Sequence, residues 1–239
     1  MPFTRLLCAE LGADCRVPIL IDCINRYQAI AEREKGIADG ARNFIIIDAL
    51  DEGIGSGIVL HGELLRGSQS ISGEIGHLTV NPIDGPECIC GARGCLEAMV
   101  SAKRVLGMAA AALARGVESC LSADRRAGAL HLDAVCEGAA AGDPLCVSLI
   151  DDVARWFLVG LGNIIMVNDP ELIIIQGQYV KAGAMFLSRL HEGISHIGLP
   201  DVEKRVRIEY SLLGEERGIV GGACFALADY FARRLVFRE

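Results

Sequence analysis

The sequence predicts a mixed α/β fold, and two observations lead to this prediction. The first third of the chain contains short apolar runs typical of buried strands, among them residues 44–49 with three consecutive isoleucines. Later, long segments with apolar residues at helical spacing alternate with single short apolar runs, as 144–167 does with 172–175. This order favours a sheet whose faces are covered by helices. With 239 residues, 51% of them hydrophobic, the chain can bury a sizeable core.

Periodicity and turn residues assign the individual elements. In the first half of the chain they predict helix 3–11, strand 17–21, helix 25–38, strand 44–49, a hairpin of 54–60 and 63–65 turned at His61-Gly62, and strand 75–80. In the second half they predict helices 98–115, 132–141 and 144–167, strand 172–175, helix 182–194, strand 206–210 and helix 219–236. Pro144 follows Gly142-Asp143, as expected in the first turn of a helix, where the missing N–H has no intrahelical partner to lose.

Charge and hydropathy exclude two classes of partner. The formal net charge is −8, so the chain offers no general attraction to nucleic-acid phosphates. The longest apolar run, 156–167, is interrupted by Gly160, Gly162 and Asn163, which indicates a buried helix rather than a membrane span. Residues 1–5 lack the features of a signal peptide. We therefore expect a cytoplasmic protein with no membrane contact and no direct contact with nucleic acid.

One histidine and three cysteines lie close together in the sequence, at His77, Cys88, Cys90 and Cys95. Three thiolates and one imidazole are a standard donor set for tetrahedral Zn²⁺. A chance run of thiols and a disulfide are the other interpretations, but a Cys88–Cys90 disulfide would be strained. Ten cysteines without a secretory signal indicate a reducing compartment, where thiols stay free or bind metal. Since four protein ligands leave no open position for water, we predict a structural Zn²⁺.

The same segment resembles the signature of a known family. Glu74-Ile75-Gly76-His77 fits Glu-x-Gly-His and 88–97 fits Cys-x-Cys-Gly-x-x-Gly-Cys-x-Glu, two linked motifs of the ROK family (repressors, open reading frames and sugar kinases). The resemblance runs from about Pro18 to the C-terminus. It implies an actin-like (ribonuclease H-like) ATPase-domain fold with two lobes. Residues 1–40 would be a helix-strand-helix remnant of the N-terminal lobe, and 41–239 the C-terminal lobe with its zinc motif at 74–97.

The resemblance also implies a sugar site at the edge of the zinc motif. In sugar-binding family members, the positions of Glu74, His77 and Glu97 contact sugar hydroxyls. The chemistry suits this role, because carboxylates accept strong charge-assisted hydrogen bonds and a zinc-bound imidazole can donate its second N–H. The other interpretation is that Glu74 and Glu97 are surface or capping carboxylates. The implied ligand is a monosaccharide or an amino sugar.

Kinase members of the family need a base that accepts the proton of the attacking hydroxyl. They carry Glu-Asn-Asp-Ala-Asn after a Pro-Val-x-Ile strand, and an alignment without gaps places Cys23 and Ile24 at the Asn-Asp pair. Isoleucine cannot take a proton. A shifted alignment brings Asp22 or Asn25 to these positions without restoring the pair.

The nucleotide motifs of the kinases are altered as well. Asp51-Glu52 stands where kinases have Gly-Thr, and two carboxylates there would repel ATP phosphates. The adenosine loop, which is glycine-rich in kinases, is Gln176-Gly177-Gln178 in this chain. These departures beside an intact zinc motif resemble the repressor branch of the family.

The leading hypothesis is therefore a sugar-sensing effector domain of a ROK-type transcriptional regulator, without a DNA-binding helix-turn-helix in this chain and without kinase activity. An ATP-dependent, glucokinase-like sugar kinase of the same family is one alternative, and a zinc-stabilised oligomerisation remnant is another. We also expect self-association, because most of the lobe that would cover the cleft face is missing.

The remaining histidines and cysteines carry no motif. The histidines lack metal spacing and are predicted to be surface or capping residues, at His61, His131, His191 and His196. The other isolated cysteines are predicted to be small buried apolar residues, at Cys8, Cys15, Cys120, Cys136, Cys146 and Cys224.

Overall fold

The computed structural model describes residues 3–12, 18–50, 53–128, 130–197 and 205–235. Its helices are α1 (Phe3–Leu11), α2 (Ile24–Lys35), α3 (Leu96–Val100), α4 (Ala102–Ala114), α5 (Ser122–Ala127), α6 (Leu132–Ala140), α7 (Pro144–Asn168), α8 (Gly183–Ile194) and α9 (Arg217–Leu235). Its strands are β1 (Phe44–Leu50), β2 (Gly53–Leu60), β3 (Glu63–Leu64), β4 (Leu172–Gly177) and β5 (Arg207–Tyr210). Two 3₁₀ helices cover Ile75–His77 and Gln178–Ala182. Over these ranges, every helix is too short or too polar to cross a membrane.

The five strands form one sheet in the order β3-β2-β1-β4-β5. β1 pairs antiparallel with β2 and parallel with β4, and β4 pairs parallel with β5. The central strands β1 and β4 are apolar along most of their length because both faces of the sheet are covered. In register, Ile46 lies opposite Ile174 and Asp48 lies opposite Gln176. The mixed α/β prediction is confirmed.

The two faces of the sheet bury different clusters. One face contributes Ile45 and Ile47 to the main core, which α3, α4, α6, α7 and α8 complete. The other face contributes Phe44 and Ile46 to a smaller cluster that includes Ala29 of α2. Helix α9 packs along α2, so these two helices form a layer of their own beside the smaller cluster.

Helix α7 supports the segment that carries the predicted site. Gly160 lies against Leu96, the first residue of α3, where an added Cβ would come within 2.7 Å of Leu96 Cδ2. Phe157 makes an edge contact with Tyr179 at a centroid distance of 5.8 Å. The Tyr179 hydroxyl donates to the carbonyl of Val100, the last residue of α3. Both ends of α3 are thus fixed against the main core.

The predicted strand 75–80 is wrong. The chain forms a 3₁₀ helix over Ile75–His77 and then a single bridge between Thr79 and Cys95. Gly73 begins the turn with a φ of +98°, and the His77 N–H donates to the carbonyl three residues earlier at 3.1 Å. Ile75 is buried in this turn, and Leu78 and Val80 are half-buried against the main core without forming a sheet strand.

Three other predictions need correction. The predicted helix 98–115 is divided at Ser101, whose backbone is extended and whose side chain caps α4 by accepting from the Arg104 N–H. The helix α5 was not predicted. Val17 lies outside the described residues, and residues 18–21 form no strand, because no strand in the described ranges pairs with them.

Candidate functional site

The 3₁₀ helix, a tight loop and the start of α3 bring the four predicted metal ligands together. His77 ends the 3₁₀ helix, Cys88 and Cys90 lie in a loop closed by main-chain hydrogen bonds, and Cys95 immediately precedes α3. Gly94 has a φ of +70°, and a side chain there would collide with the facing backbone of the loop. Glycine is required at this position because other residues rarely adopt that conformation.

The donor atoms of this Cys/His cluster (His77, Cys88, Cys90 and Cys95) all lie within 4.8 Å of one another. Cys88 Sγ is 3.6 Å from His77 Nδ1, and Cys90 Sγ is 3.7 Å from Cys95 Sγ. A tetrahedral zinc site, with bonds of about 2.3 Å to sulfur and about 2.05 Å to nitrogen, has S···N separations of about 3.6 Å and S···S separations of about 3.8 Å. The measured separations fit a single tetrahedral ion.

Thiol protonation in the cluster opposes metal binding. Burial raises the pKa of Cys88 to about 12 and also raises the pKa of Cys95. A hydrogen bond from the Ala92 N–H lowers the pKa of Cys90. Because metals bind thiolates, an ion entering this cluster must displace protons, so its affinity falls in acid.

Glu97, in the first turn of α3, joins the cluster to a neighbouring cavity. Its Oε1 atom accepts a hydrogen bond from Cys88 Sγ at 3.0 Å and lies 3.3 Å from His77 Nδ1. Its Oε2 atom lies against the backbone of Gly53 and Gly76, where added Cβ atoms would approach it to 2.8 and 3.2 Å. The Glu97 side chain is only 12% exposed, so its surroundings fix its position.

The cavity beside Glu97 has a volume of about 610 Å³, which is within the usual range for small-molecule sites. Its walls come from β2, the cluster loop, α3 and α4, and the lining residues include Gly53, Cys88, Glu97, Lys103 and Arg104. A carboxylate acceptor and cationic donors in one cavity can bind a ligand with several hydroxyl groups. Sequence reasoning missed the two cations, because only the packing of α4 places them in the lining of this cavity. Arg104 is already paired, since its Nη1 atom donates to the Met99 carbonyl at 2.7 Å and to Asp152 Oδ2 at 2.6 Å.

Only one of the three residues predicted to contact sugar lines this cavity. Glu97 lines the cavity, whereas Glu74 and His77 are absent from its described lining. Glu74 is exposed at the start of the 3₁₀ helix and makes no capping hydrogen bond. His77 is 38% exposed beside the cluster.

The segment predicted to replace the kinase base is held by ion pairs. Asp22 accepts from Arg26 Nη1 at 2.6 Å and from Arg66 Nη2 at 2.9 Å. Burial alone would raise the pKa of Asp22, but the hydrogen bonds from Arg26, the Cys23 N–H and Arg66 outweigh it and lower that pKa. Ile24 is 52% exposed. Asp22 is therefore a poor proton acceptor, and Ile24 cannot be one.

A buried polar network occupies the carboxyl ends of β1 and β4. Gln28 Oε1 accepts from Asn25 Nδ2 at 3.0 Å and from Gln176 Nε2 at 2.7 Å, and Gln28 Nε2 donates to Asp48 Oδ2 at 2.9 Å. The side chain of Gln176 thus bonds to α2. Asp48, a charged residue directly after three isoleucines, was a sequence signal for this network. The predicted phosphate-repelling pair, Asp51-Glu52, lies outside the described residues.

The predictions for isolated residues have mixed outcomes. His131 caps α6, as predicted, because its Nδ1 atom accepts from the Ala134 N–H at 3.1 Å. The cysteines differ in exposure: Cys136 and Cys146 are buried, Cys224 is half-buried, Cys8 and Cys120 are exposed, and Cys15 lies outside the described residues. Cys120 and Cys146 are not isolated, since their sulfur atoms lie 3.9 Å apart.

Comparison with known protein families gives a match over most of the chain. The model of the ROK family matches residues 5–229. Among curated relatives, the glucokinase of Halalkalibacterium halodurans is 33% identical over 214 residues, which is 89% of this chain and 64% of that protein.

Solved structures of both functional branches share the fold. A ROK family transcriptional regulator, a homologue of the Escherichia coli Mlc protein, is 28% identical with a TM-score of 0.79, over 89% of this chain and 52% of that one. A ROK family glucokinase from Streptomyces griseus, in complex with glucose and AMPPNP, is 28% identical with a TM-score of 0.77, over 89% of this chain and 69% of that one. The chain has the actin-like fold of ROK sugar kinases and spans about half to two thirds of these proteins.

Proposed function

The chain belongs to the ROK family, and we propose that it is the sugar-sensing effector domain of a transcriptional regulator, acting without kinase activity. The observation that carries this proposal is the contrast between two places. The Cys/His cluster and Glu97 form a compact unit beside a cavity, whereas the carboxylate nearest the kinase base position, Asp22, is bound by two arginines.

We propose that His77, Cys88, Cys90 and Cys95 hold a structural Zn²⁺. The donor set and its separations support this assignment. The ion would fix the loop that borders the cavity and the start of α3. The role of the metal would then be to position Glu97, with no bound water and no chemical step of its own.

The proposed ligand is a monosaccharide or an amino sugar whose hydroxyls donate to Glu97. Glu74 and His77 are proposed to contact the sugar from the solvent side, as a second edge of the same site. The Streptomyces griseus glucokinase structure contains glucose, which makes glucose the first sugar to test. A sugar that binds one lobe arrangement more tightly shifts the population towards it, and this shift is the proposed signal.

The chemistry at positions 22 and 24 supports the proposed lack of kinase activity. A general base must be free to accept a proton near neutral pH. Asp22 keeps its charge through Arg26 and Arg66, and its lowered pKa weakens it as a base. Ile24 offers no acceptor atom.

The glucokinase-like alternative rests on the 33% identity to the Halalkalibacterium halodurans enzyme. One assay separates the two functions: ADP release with ATP and glucose, N-acetylglucosamine, N-acetylmannosamine, mannose, fructose or xylose. We expect no sugar-dependent rate. A rate on the order of 1 s⁻¹ or more would identify an enzyme and overturn the effector proposal.

Sugar binding is tested by calorimetry or ligand-observed NMR with the same sugars. We expect Glu97→Gln to weaken the binding of a detected sugar by about tenfold or more, since a charge-assisted hydrogen bond contributes about 1.5–3 kcal/mol. Glu192→Gln, on the exposed side of α8, is the matched control and should bind as the wild type does. If none of these sugars binds, the third interpretation, a zinc-stabilised oligomerisation remnant, is favoured.

A further inference from the structure

Two cysteines outside the Cys/His cluster face each other across a helix junction. Cys120 lies in the connection between α4 and α5 and is exposed, whereas Cys146 lies in the first turn of α7 and is buried. Their sulfur atoms are 3.9 Å apart, although the residues are 26 positions apart in sequence. The proposed sugar site uses neither of them.

One carboxylate fixes the backbone of both cysteines. Asp143 caps α7: its Oδ1 atom accepts from the Cys146 N–H at 3.0 Å and its Oδ2 atom accepts from the Cys120 N–H at 2.8 Å. The Ser119 hydroxyl also donates to Oδ1 at 3.0 Å. Burial would raise the pKa of Asp143, but these hydrogen bonds lower it to about 2, so the clamp stays charged at every physiological pH. The two main chains are therefore held at a fixed separation.

The space between the sulfur atoms depends on Gly138 of α6. A Cβ added at Gly138 would lie 2.6 Å from Cys146 Sγ and 2.8 Å from Cys120 Sγ. Both thiols thus point at a bare helix backbone, with no side chain to separate them. A disulfide needs the sulfur atoms to approach by roughly 2 Å more, to about 2.05 Å, which side-chain rotation supplies.

We propose that Cys120 and Cys146 are a thiol–disulfide modification site, in which the exposed Cys120 reacts first with the oxidant and the buried Cys146 resolves the adduct. With a low-molecular-weight disulfide as oxidant, the Cys120 thiolate attacks one sulfur, forms a mixed disulfide and releases one thiol. Burial and the Asp143 carboxylate raise the pKa of Cys146, so this thiol reacts second. It loses its proton to the departing small thiolate as its sulfur attacks Cys120 Sγ, and the second thiol is released. Two protein thiols are oxidised, one small disulfide is reduced to two thiols, and the exchange is reversible.

The product ties the connection between α4 and α5 to the first turn of α7. The N-terminal end of α4 carries Lys103 and Arg104, which line the cavity beside Glu97. Arg104 also pairs with Asp152 of α7 at 2.6 Å. Oxidation would therefore add a covalent link between α7 and the segment that follows α4.

A metal ion is the competing occupant, because Cys120, Asp143 and Cys146 also place their donor atoms within 4.8 Å of one another. The carboxylate is already used by three donors, with both accepting positions of Oδ1 filled. The donor set left for a metal is two thiols and one oxygen position, which is fewer than a closed site needs. This argues for the disulfide.

The test uses the full chain as purified, treated with oxidised glutathione and digested with trypsin without reduction. Residues 116–125 contain Cys120 alone, whereas 127–155 contain both Cys136 and Cys146. We expect these peptides to appear as a linked pair, lighter than their sum by two hydrogen atoms. The pair should disappear in Cys146→Ser and persist in Cys136→Ala and in Cys224→Ser.

A second measurement needs no variant. Brief alkylation of the native protein should label Cys120 before Cys146 and should prevent the linked pair from forming. Oxidised wild-type protein should also melt higher than reduced protein, by on the order of 5 °C. The proposal is overturned if folded wild-type protein gives no linked pair, if the pair survives Cys146→Ser, or if metal analysis shows an equivalent of metal that is lost in Cys120→Ser.

Discussion

Removal of the proposed Zn²⁺ from the Cys/His cluster should unfold residues 79–95 and leave the sheet intact. This segment has little apolar anchoring, since Ile83 and Ile89 are 81% and 90% exposed. Its internal main-chain hydrogen bonds number six, with donors at Val80, Asn81, Gly85, Cys88, Gly91 and Gly94. The core that surrounds β1 and β4 does not depend on this segment.

The size of the effect follows from these contacts. Six hydrogen bonds at about 1 kcal/mol each contribute roughly 6 kcal/mol. Ordering the backbone of this segment costs roughly 17 kcal/mol, at about 1 kcal/mol for each residue. The difference of roughly 11 kcal/mol lies within the range of about 10–16 kcal/mol that structural zinc contributes to small zinc-finger domains. The ion is therefore expected to decide whether the segment is ordered.

Hydrogen exchange with mass spectrometry measures this directly. In protein treated with a strong chelator, peptides from 79–95 should lose protection, whereas peptides from 44–50 should keep it. Cys90→Ser should reproduce the effect of the chelator, because it removes one ligand from an exposed position. Cys224→Ser, the same change on α9 away from the cluster, should exchange as the wild type does.

Two results would refute this reasoning. One is folded protein, purified without added metal, that contains none by elemental analysis. The other is unchanged protection of 79–95 in a chelated sample whose loss of metal has been verified. The hydrogen bonds of the segment, including that from Arg93 to the Gly85 carbonyl, would then hold it without a metal.

Three further outcomes are expected. Asp22→Asn should lower the free energy of unfolding by about 2 kcal/mol near neutral pH. Because the folded-state pKa of Asp22 is lowered, the stability difference between wild type and variant should be largest above the ordinary pKa of 3.8 and should shrink as the pH falls below it. Denaturation measured against pH checks this. Gly160→Ala should lower the free energy of unfolding in urea by about 1–3 kcal/mol, because the new Cβ would collide with the buried Leu96. Gly107→Ala, whose Cβ would have no atom within 4 Å, should raise the free energy of unfolding by about 0.5–1 kcal/mol. Light scattering at micromolar concentration should show self-association, because large apolar side chains of α9 are exposed at Ile219, Leu227 and Phe231; a monodisperse monomer would contradict this.

The sequence was sufficient to predict the elements whose environment is uniform along their length. β1 and β4 are apolar runs covered on both faces, and α7 begins with a capping Asp143 and Pro144, so local pattern and final structure agree. The pattern misled at residues 75–80, where a 3₁₀ turn after a left-handed Gly73 packs Ile75, Leu78 and Val80 against the main core. Periodicity cannot separate these cases, because both bury the same side chains.

The candidate site also has one part that the sequence predicts and one part that it does not. The four residues of the Cys/His cluster could be predicted from the sequence because they lie within one short segment whose glycines set the turns. The cavity could not be predicted, because Glu97, Gly53 of β2 and the cations of α4 line one cavity only through the packing of separate elements. The same holds for Asp22 with Arg66 and for Cys120 with Cys146, which are 44 and 26 positions apart. Contacts of that separation depend on how helices pack against the sheet, and only the tertiary structure decides that.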